Sequence, residues 1–151
     1  MGRRTLKMEP RNIMLVYDIF ERWGIDAIGP LPRTARGKCY MLTAVDYLTK
    51  WAEVKAVKKV DSKEVADFVY EHICCRFGVP LELLLDNGPG FRGEVIDLLC
   101  KRLKINHKYV TPYHPQCNGL NEKFNGEFKL MLTKMTESHV KNWDAKMNRV
   151  L

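Results

Sequence analysis

Residues 81–85 read LELLL, an apolar run bounded by Gly78 and Pro80 before it and by Asn87, Gly88, Pro89 and Gly90 after it. A short apolar run between such breakers has the signature of a strand buried on both faces of a sheet. A sheet of that kind has to be covered by helices, which points to an α/β architecture. The run ends on Asp86, so a carboxylate stands where an apolar strand surfaces. Strand ends are where the loops of such sheets assemble ligand sites, and this placement makes Asp86 a functional candidate.

The rest of the chain supplies the cover. A basic, irregular segment at residues 1–19 leads into ERWGIDAIGPLP, a strand closed by Gly29, Pro30 and Pro32. KCYMLTAVDYLTKWAEVKAV then reads as two strands in a hairpin with Lys50 near the turn. Asp61 is placed to cap the next helix, with Glu64 three residues on as in a capping box. Val65, Phe68, Val69 and Ile73 recur at helical spacing until Gly78 and Pro80 end the helix. A second helix is predicted around Glu94 to Leu103, with Val95, Leu98 and Leu99 on one side. INHKYV reads as a strand, TPYHPQCNG as a loop, and a long helix is expected from about Leu120 to about Glu137. KNWDAKMNRVL begins one more helix. The expectation is one α/β domain over residues 20–151, with a mixed sheet flanked by helices.

Charge bears on the partner. Lysine and arginine number 25 against 18 acids, a net charge of +7, which favours a polyanion, nucleic acid first and an acidic membrane second. No segment approaches the ~18 apolar residues of a membrane span, and Asp18 interrupts the apolar stretch after the basic start. The chain is read as intracellular, without a membrane partner. Five cysteines with no C-x-x-C pair argue against a disulfide framework. Cys74 and Cys75 are expected as small buried hydrophobes, and His72 beside them lacks the paired spacing of a zinc site. Lys55, Lys58, Lys59 and Lys63, and Lys101, Arg102, Lys104 and Lys108, form basic stretches that could meet phosphates or simply face solvent.

Two further acids stand out. With period two, Gly24, Asp26 and Ile28 share one face of their strand, and Trp23, Ile25 and Ala27 share the other. A charge in so apolar a strand costs several kcal/mol or more unless compensated. Glu122 falls in the first turn of the long helix, where an acid also complements the helix dipole. On that helix Phe124, Phe128, Met131 and Met135 form the core stripe, at about 180° to 240° from Glu122. Asn125, Gly126, Lys129 and Thr133 fall within about 60° of Glu122, on the far side. Three carboxylates brought together would repel one another unless cations held them, and hard oxygen ligands suit magnesium or manganese.

The ordered motifs WGIDAIGPLP, YMLTAVDYLTKWAE, FGVP, LLLDNGPGF and TPYHPQCNGLNEKFN resemble those of retroviral-type integrases, with the strongest likeness to gypsy-type long-terminal-repeat retrotransposons. Thirty-five residues separate Asp86 from Glu122, the spacing of that family's acidic triad. The resemblance implies a ribonuclease H-like fold: a five-stranded mixed sheet with Asp26 on the first strand, Asp86 just after the fourth, and Glu122 on the long helix. It implies Asp26, Asp86 and Glu122 as catalytic metal ligands for magnesium or manganese in a two-metal site. The activity implied is 3′-end trimming of a DNA copy followed by strand transfer. Gln116, Asn118, Asn125 and Lys129 would touch DNA, Asp46 would be structural, and a nuclear location and a homo-oligomer in the full-length form would follow. The sequence departs from the family's pattern at Gly90, where Glu or Gln is usual, at Ala27 and in NGLNEK. The chain also lacks the family's zinc module and its downstream DNA-binding domain, and it reads as truncated at its last helices. Two other readings stay open: a non-enzymatic remnant that binds DNA or protein, and a related ribonuclease H-like nuclease or transposase.

Overall fold

The computed structural model describes residues 17–110, 123, 126, 127, 130, 131, 134 and 142–147. Their centre is a five-stranded sheet. β1 is Arg22–Ile28, β2 Tyr40–Asp46, β3 Ala52–Val57, β4 Glu82–Asp86 and β5 Asn106–Val110, in the spatial order β3-β2-β1-β4-β5. The first three strands form an antiparallel meander, while β4 and β5 run parallel to β1. The sheet is therefore mixed, and the LELLL run lies inside it: Leu83, Leu84 and Leu85 are all buried.

The period-two reading of β1 holds. Trp23 and Ile25 pack with Leu42, Ala44, Leu83 and Leu85 in the larger core, against Val65, Phe68, Val69, Ile73, Ile96 and Cys100 from the helices. Ile28 lies on the other face, with Met41, Val54 and Trp143. Met131 packs onto this second cluster, as the core stripe of the long helix requires, and positions 123, 126, 127, 130, 131 and 134 are all helical. Trp143 opens the short helix Trp143–Met147, and its indole nitrogen donates to the carbonyl of Pro32 at 2.6 Å. Helices thus cover both faces, as a sheet with an apolar central strand demands.

Three features differ from the sequence reading. The helix after Asp61 is not continuous: α1, Ser62–Phe68, passes into a π-helical turn, Val69–Cys74, before a last turn at Cys75–Phe77, here α2. In α3, Glu94–Leu103, the buried stripe is Ile96 and Cys100, flanked by Leu99 and Leu103. Val95 and Leu98 point outward instead. Both stripes obey helical spacing, so the pattern left two choices, and packing against α1 selected one. Cys74 is packed against the core, but Cys75 is exposed, because its position on the interrupted helix faces away from the sheet.

The cap at Asp61 is present. Its carboxylate accepts from the Glu64 backbone N–H at 2.9 Å, and this bond holds the carboxyl below its ordinary value. Asp61→Ala is expected to cost about 1 kcal/mol, read as a lower urea midpoint at unchanged m-value.

Candidate active site

Parallel pairing of β1 with β4 sets Arg22 opposite Glu82, Trp23 opposite Leu83, Gly24 opposite Leu84 and Ile25 opposite Leu85. One step further along the same register, Asp26 stands beside Asp86, the last residue of β4 rather than the residue after it. Equivalent residues of neighbouring parallel strands point to one face. The face carrying Gly24, Asp26 and Ile28 therefore also carries Glu82, Leu84 and Asp86. It holds acids at both ends of β4, in contrasting surroundings.

At the first end the charge is matched. Glu82 is 1% exposed, 3.0 Å from the Arg22 guanidinium and 2.8 Å from the Lys108 ammonium. Burial pushes its carboxyl up, but Lys108, Tyr17 and Arg22 outweigh this and hold it below the ordinary value. Lys108 is raised in return, by its hydrogen bond to Glu82. Arg22 also lies against the rings of Tyr17 and Tyr47. At this end of the face the one carboxylate is fully matched, by two cations, in a structural cluster.

At the other end two acids share one register step. Strand spacing puts their α-carbons about 4.8 Å apart. At that separation two unit charges repel by about 1 kcal/mol in water and about 3 kcal/mol at an effective dielectric of about 20. Asp26 accepts from the Ala27 backbone N–H at 2.7 Å, and Thr43, its partner on β2, donates its hydroxyl to the Asp26 carbonyl. Among the described residues, the Asp86 carboxylate has no hydrogen-bond or ion-pair partner. Two adjacent carboxylates at a strand end, one of them unpaired, form a donor set for a hard divalent cation. Among the described residues no three acidic, histidine or cysteine side chains cluster as a complete metal site, so the pair supplies two ligands and needs a third from elsewhere.

The loop after Asp86 explains the glycines of NGPGFRG. A β-carbon at Gly88 would lie 3.0 Å from the Asp86 carboxylate, so glycine keeps that side chain clear. A β-carbon at Gly90 would collide with the Val60 carbonyl oxygen. The Glu or Gln common at this position in the resembled family therefore has no room here. Arg92 ties the loop down: its guanidinium donates to the Asn87 side-chain oxygen and lies 4.0 Å over the Tyr109 ring, while Phe91 is buried beneath. Sequence reasoning passed over Thr43 and Arg92, because nothing local marks a residue whose partner arrives by strand pairing or from β5.

The other buried acids are occupied. Asp46, fully buried, accepts from the Phe20 N–H at 3.1 Å and from the Thr49 N–H and hydroxyl at 2.8 and 2.6 Å, which makes it structural as expected. Glu53 accepts from Trp51 at 3.1 Å and Arg76 at 2.8 Å, with His72 at 3.5 Å. Glu122, Gln116, Asn118, Asn125 and Lys129 lie outside the described residues. Gly126, on the side of the helix where periodicity puts Glu122, is exposed, with nothing within 4 Å of where a β-carbon would stand.

Comparison with known proteins gives the family and the fold. Residues 19–115, more than half of the chain, match the integrase core domain family. The Pol polyprotein of Feline endogenous virus ECE1 is 37% identical over 122 residues, covering 80% of this chain and 12% of the polyprotein. The retrovirus-related Pol polyprotein from transposon 412 of Drosophila melanogaster is 28% identical over 126 residues, covering 83% of this chain and 10% of that protein. A chain of the simian T-cell lymphotropic virus intasome superposes with a TM-score of 0.67 at 25% identity, over 80% of this chain and 42% of that one. The chain belongs to the integrase core domain family and has its ribonuclease H-like fold; it is a retroviral-type integrase catalytic core. It spans only a small part of the polyproteins it matches.

The two ends of β4 should respond oppositely to neutralisation. Glu82→Gln is expected to destabilise by about 1–3 kcal/mol, through loss of charged hydrogen bonds to partly exposed partners. Because the Glu82 carboxyl is held below its ordinary value of 4.5, its contribution is complete above that pH and is lost as pH falls through the folded-state value. Asp86→Asn, without divalent ions, should be neutral or stabilising by up to about 1 kcal/mol, through relief of a like-charge cross-strand pair. Urea unfolding of both variants at pH 7 and pH 4 checks the contrast.

Proposed function

We propose that this chain performs the chemistry of DNA integration as a magnesium- or manganese-dependent polynucleotidyl transferase, with Asp26, Asp86 and Glu122 as the ligand set. The observation that carries the reading is the side-by-side placement of Asp26 and Asp86 at the carboxyl ends of two parallel strands. Their oxygens are hard donors, and the repulsion between them favours a bound cation. When bound in such a site, two divalent ions activate a water or hydroxyl nucleophile and stabilise the leaving oxygen of an in-line attack at phosphorus.

The protein's own residues prepare that site. The β1–β4 ladder fixes the spacing of the two acids, and the Thr43 hydroxyl steadies the Asp26 carbonyl. Gly88 leaves the Asp86 carboxylate free of steric cover. Gln116, Asn118, Asn125 and Lys129 are assigned to DNA, which the intasome membership of the structural neighbour supports. We assign the core to residues 20–151, a homo-oligomer to the full-length form, and a nuclear location to a protein whose substrate is chromosomal DNA.

Short DNA duplexes with magnesium or manganese test the reading. Metal-dependent end trimming and joining are expected, and Asp86→Asn or Asp26→Asn should reduce them by at least about a hundredfold, since even outer-shell partners of metal sites are worth 10–100-fold. Magnesium or manganese should also raise the melting temperature of the wild type and leave Asp86→Asn unmoved. Salt-sensitive duplex binding without any joining, identical in wild type and variant, would overturn the assignment and leave a binding module.

A further inference from the structure

The structure rearranges the basic residues. Of the stretch Lys55, Lys58, Lys59 and Lys63, three are paired: Lys55 lies 3.5 Å from Glu71, Lys59 3.1 Å from Asp61 and Lys63 3.2 Å from Asp67. In the other stretch Lys108 is taken by Glu82. Lys58 alone of its stretch has no acidic partner among the described residues. It lies against the loop between β1 and β2, which carries three cations that belong to neither stretch, Arg33, Arg36 and Lys38.

That loop is a built element. It extends the β1–β2 ladder: the Leu31 N–H donates to Cys39 at 2.7 Å, the Thr34 N–H to Lys38 at 2.9 Å and the Gly37 N–H to Thr34 at 2.9 Å. The Thr34 side chain is 4% exposed, accepts from the Lys38 N–H at 3.1 Å and donates to Asp144 at 3.3 Å. Cys39 joins the loop to the end of β3, with its N–H on the Val57 carbonyl and its thiol on the Lys58 carbonyl, both at 3.2 Å. Gly37 has φ +81°, and a β-carbon there would lie 3.6 Å from Lys58 Cε, so the lysine stem runs along the tip of the turn. Arg36 on the same turn is 3.5 Å from Asp144 and is partly neutralised. Arg33 and Lys38 have no acidic partner among the described residues. Among the described residues, three cations without an acidic partner thus stand together, Arg33 and Lys38 on this loop and Lys58 against its tip.

The tip stands at the same end of the sheet as the two acids. The segment from Lys38 to Thr43, the register partner of Asp26, spans at most about 17 Å at about 3.4 Å per residue. A duplex of that axial length has about five base pairs. Five of the exposed large apolar side chains, Ile19, Leu48, Trp51, Val79 and Leu81, lie at the opposite end, beside the starts of β1 and β4 and the β2–β3 turn, and Val95 and Leu98 lie on α3. A membrane surface site would combine cations with apolar side chains that enter the bilayer. Among the described residues, the β1–β2 loop has the cations and none of the exposed large apolar side chains.

We propose that Arg33, Lys38 and Lys58 form a sequence-independent grip on the phosphate backbone of a nucleic-acid duplex, within about five base pairs of the bond at Asp26 and Asp86. The position relative to the reacting bond rests on the function proposed above; the binding surface itself does not.

The test is duplex affinity across a salt series for the 151-residue chain. Removing one phosphate-binding cation lowers the salt slope by about 0.9, so Arg33→Gln/Lys38→Gln/Lys58→Gln should bind with a slope smaller by about 2–3. Between about 50 and about 200 mM salt that variant should show a fall in affinity about fortyfold smaller than that of the wild type. Lys101→Gln/Arg102→Gln/Lys104→Gln removes the same charge from the far end of the sheet and should keep the wild-type slope. Both triple variants should melt close to the wild-type temperature, since none of the replaced side chains has an acidic partner among the described residues and glutamine keeps most of each aliphatic stem. An unchanged slope in the first variant, or an equal fall in the second, overturns the proposal. Binding of phosphatidylserine vesicles through the same three residues, with no duplex binding, overturns the choice of nucleic acid. Asp86→Asn separates the two readings: it should retain the full slope while losing joining, and retained joining would remove the catalytic reading without touching the slope.

Discussion

The pairing of β1 with β4 is the constraint on which the site depends. A slip of one residue in either strand would send its acid to the opposite face, because side chains alternate along a strand. Apolar packing prevents that slip. Trp23, Ile25, Leu83 and Leu85 are buried together against α1 and α3, and moving them outward would expose large apolar side chains on two strands at once. The positions of Asp26 and Asp86 are thus maintained by residues that have no part in chemistry. The helical cover that makes LELLL tolerable is the same cover that locks the two carboxylates side by side.

The acids sort by what surrounds them. Asp46, Glu53 and Glu82 are buried and paired, and each joins segments distant in sequence: Asp46 receives Phe20 and Thr49, Glu53 receives Arg76 from beyond the π-helical turn, and Glu82 receives Arg22 and Lys108. Without their donors these groups would carry the desolvation cost of a buried charge. Asp86 differs in having no such donor among the described residues, beside a second acid at strand spacing. Stability alone gives no reason for that arrangement, and sites that trade stability for activity are a recurrent exception to local consistency. The loop glycines extend the same logic, since Gly88 and Gly90 leave room where side chains would crowd the acid or the Val60 carbonyl.

The cations follow the opposite course. Of the eight basic residues that are conspicuous in the linear sequence, four are matched by acids among the described residues: Lys55, Lys59, Lys63 and Lys108. Lys58, left over from the first stretch, meets Arg33 and Lys38 of the β1–β2 loop only through the ladder that carries that loop onto the end of β3. Linear clustering is a weak guide to surface potential, because a helix with i,i+4 ion pairs neutralises much of its own charge. Charge that shapes an interface is what remains after such pairing.

Much of the fold was legible in the residues alone. Period two placed Asp26 opposite Trp23 and Ile25, the apolar run identified the central strand, Asp61 marked a helix start, and Met131 marked the core side of the long helix; all of these are local patterns set by backbone geometry. The choice between two equally periodic stripes on α3, the π-helical turn that brings His72 and Arg76 to Glu53, and the exposure of Cys75 were decided by packing against elements far away in the chain. The same holds at the site. Sequence spacing singled out Asp26 and Asp86 as chemically unusual, but their adjacency is a consequence of parallel strand pairing, a long-range contact that no local pattern encodes.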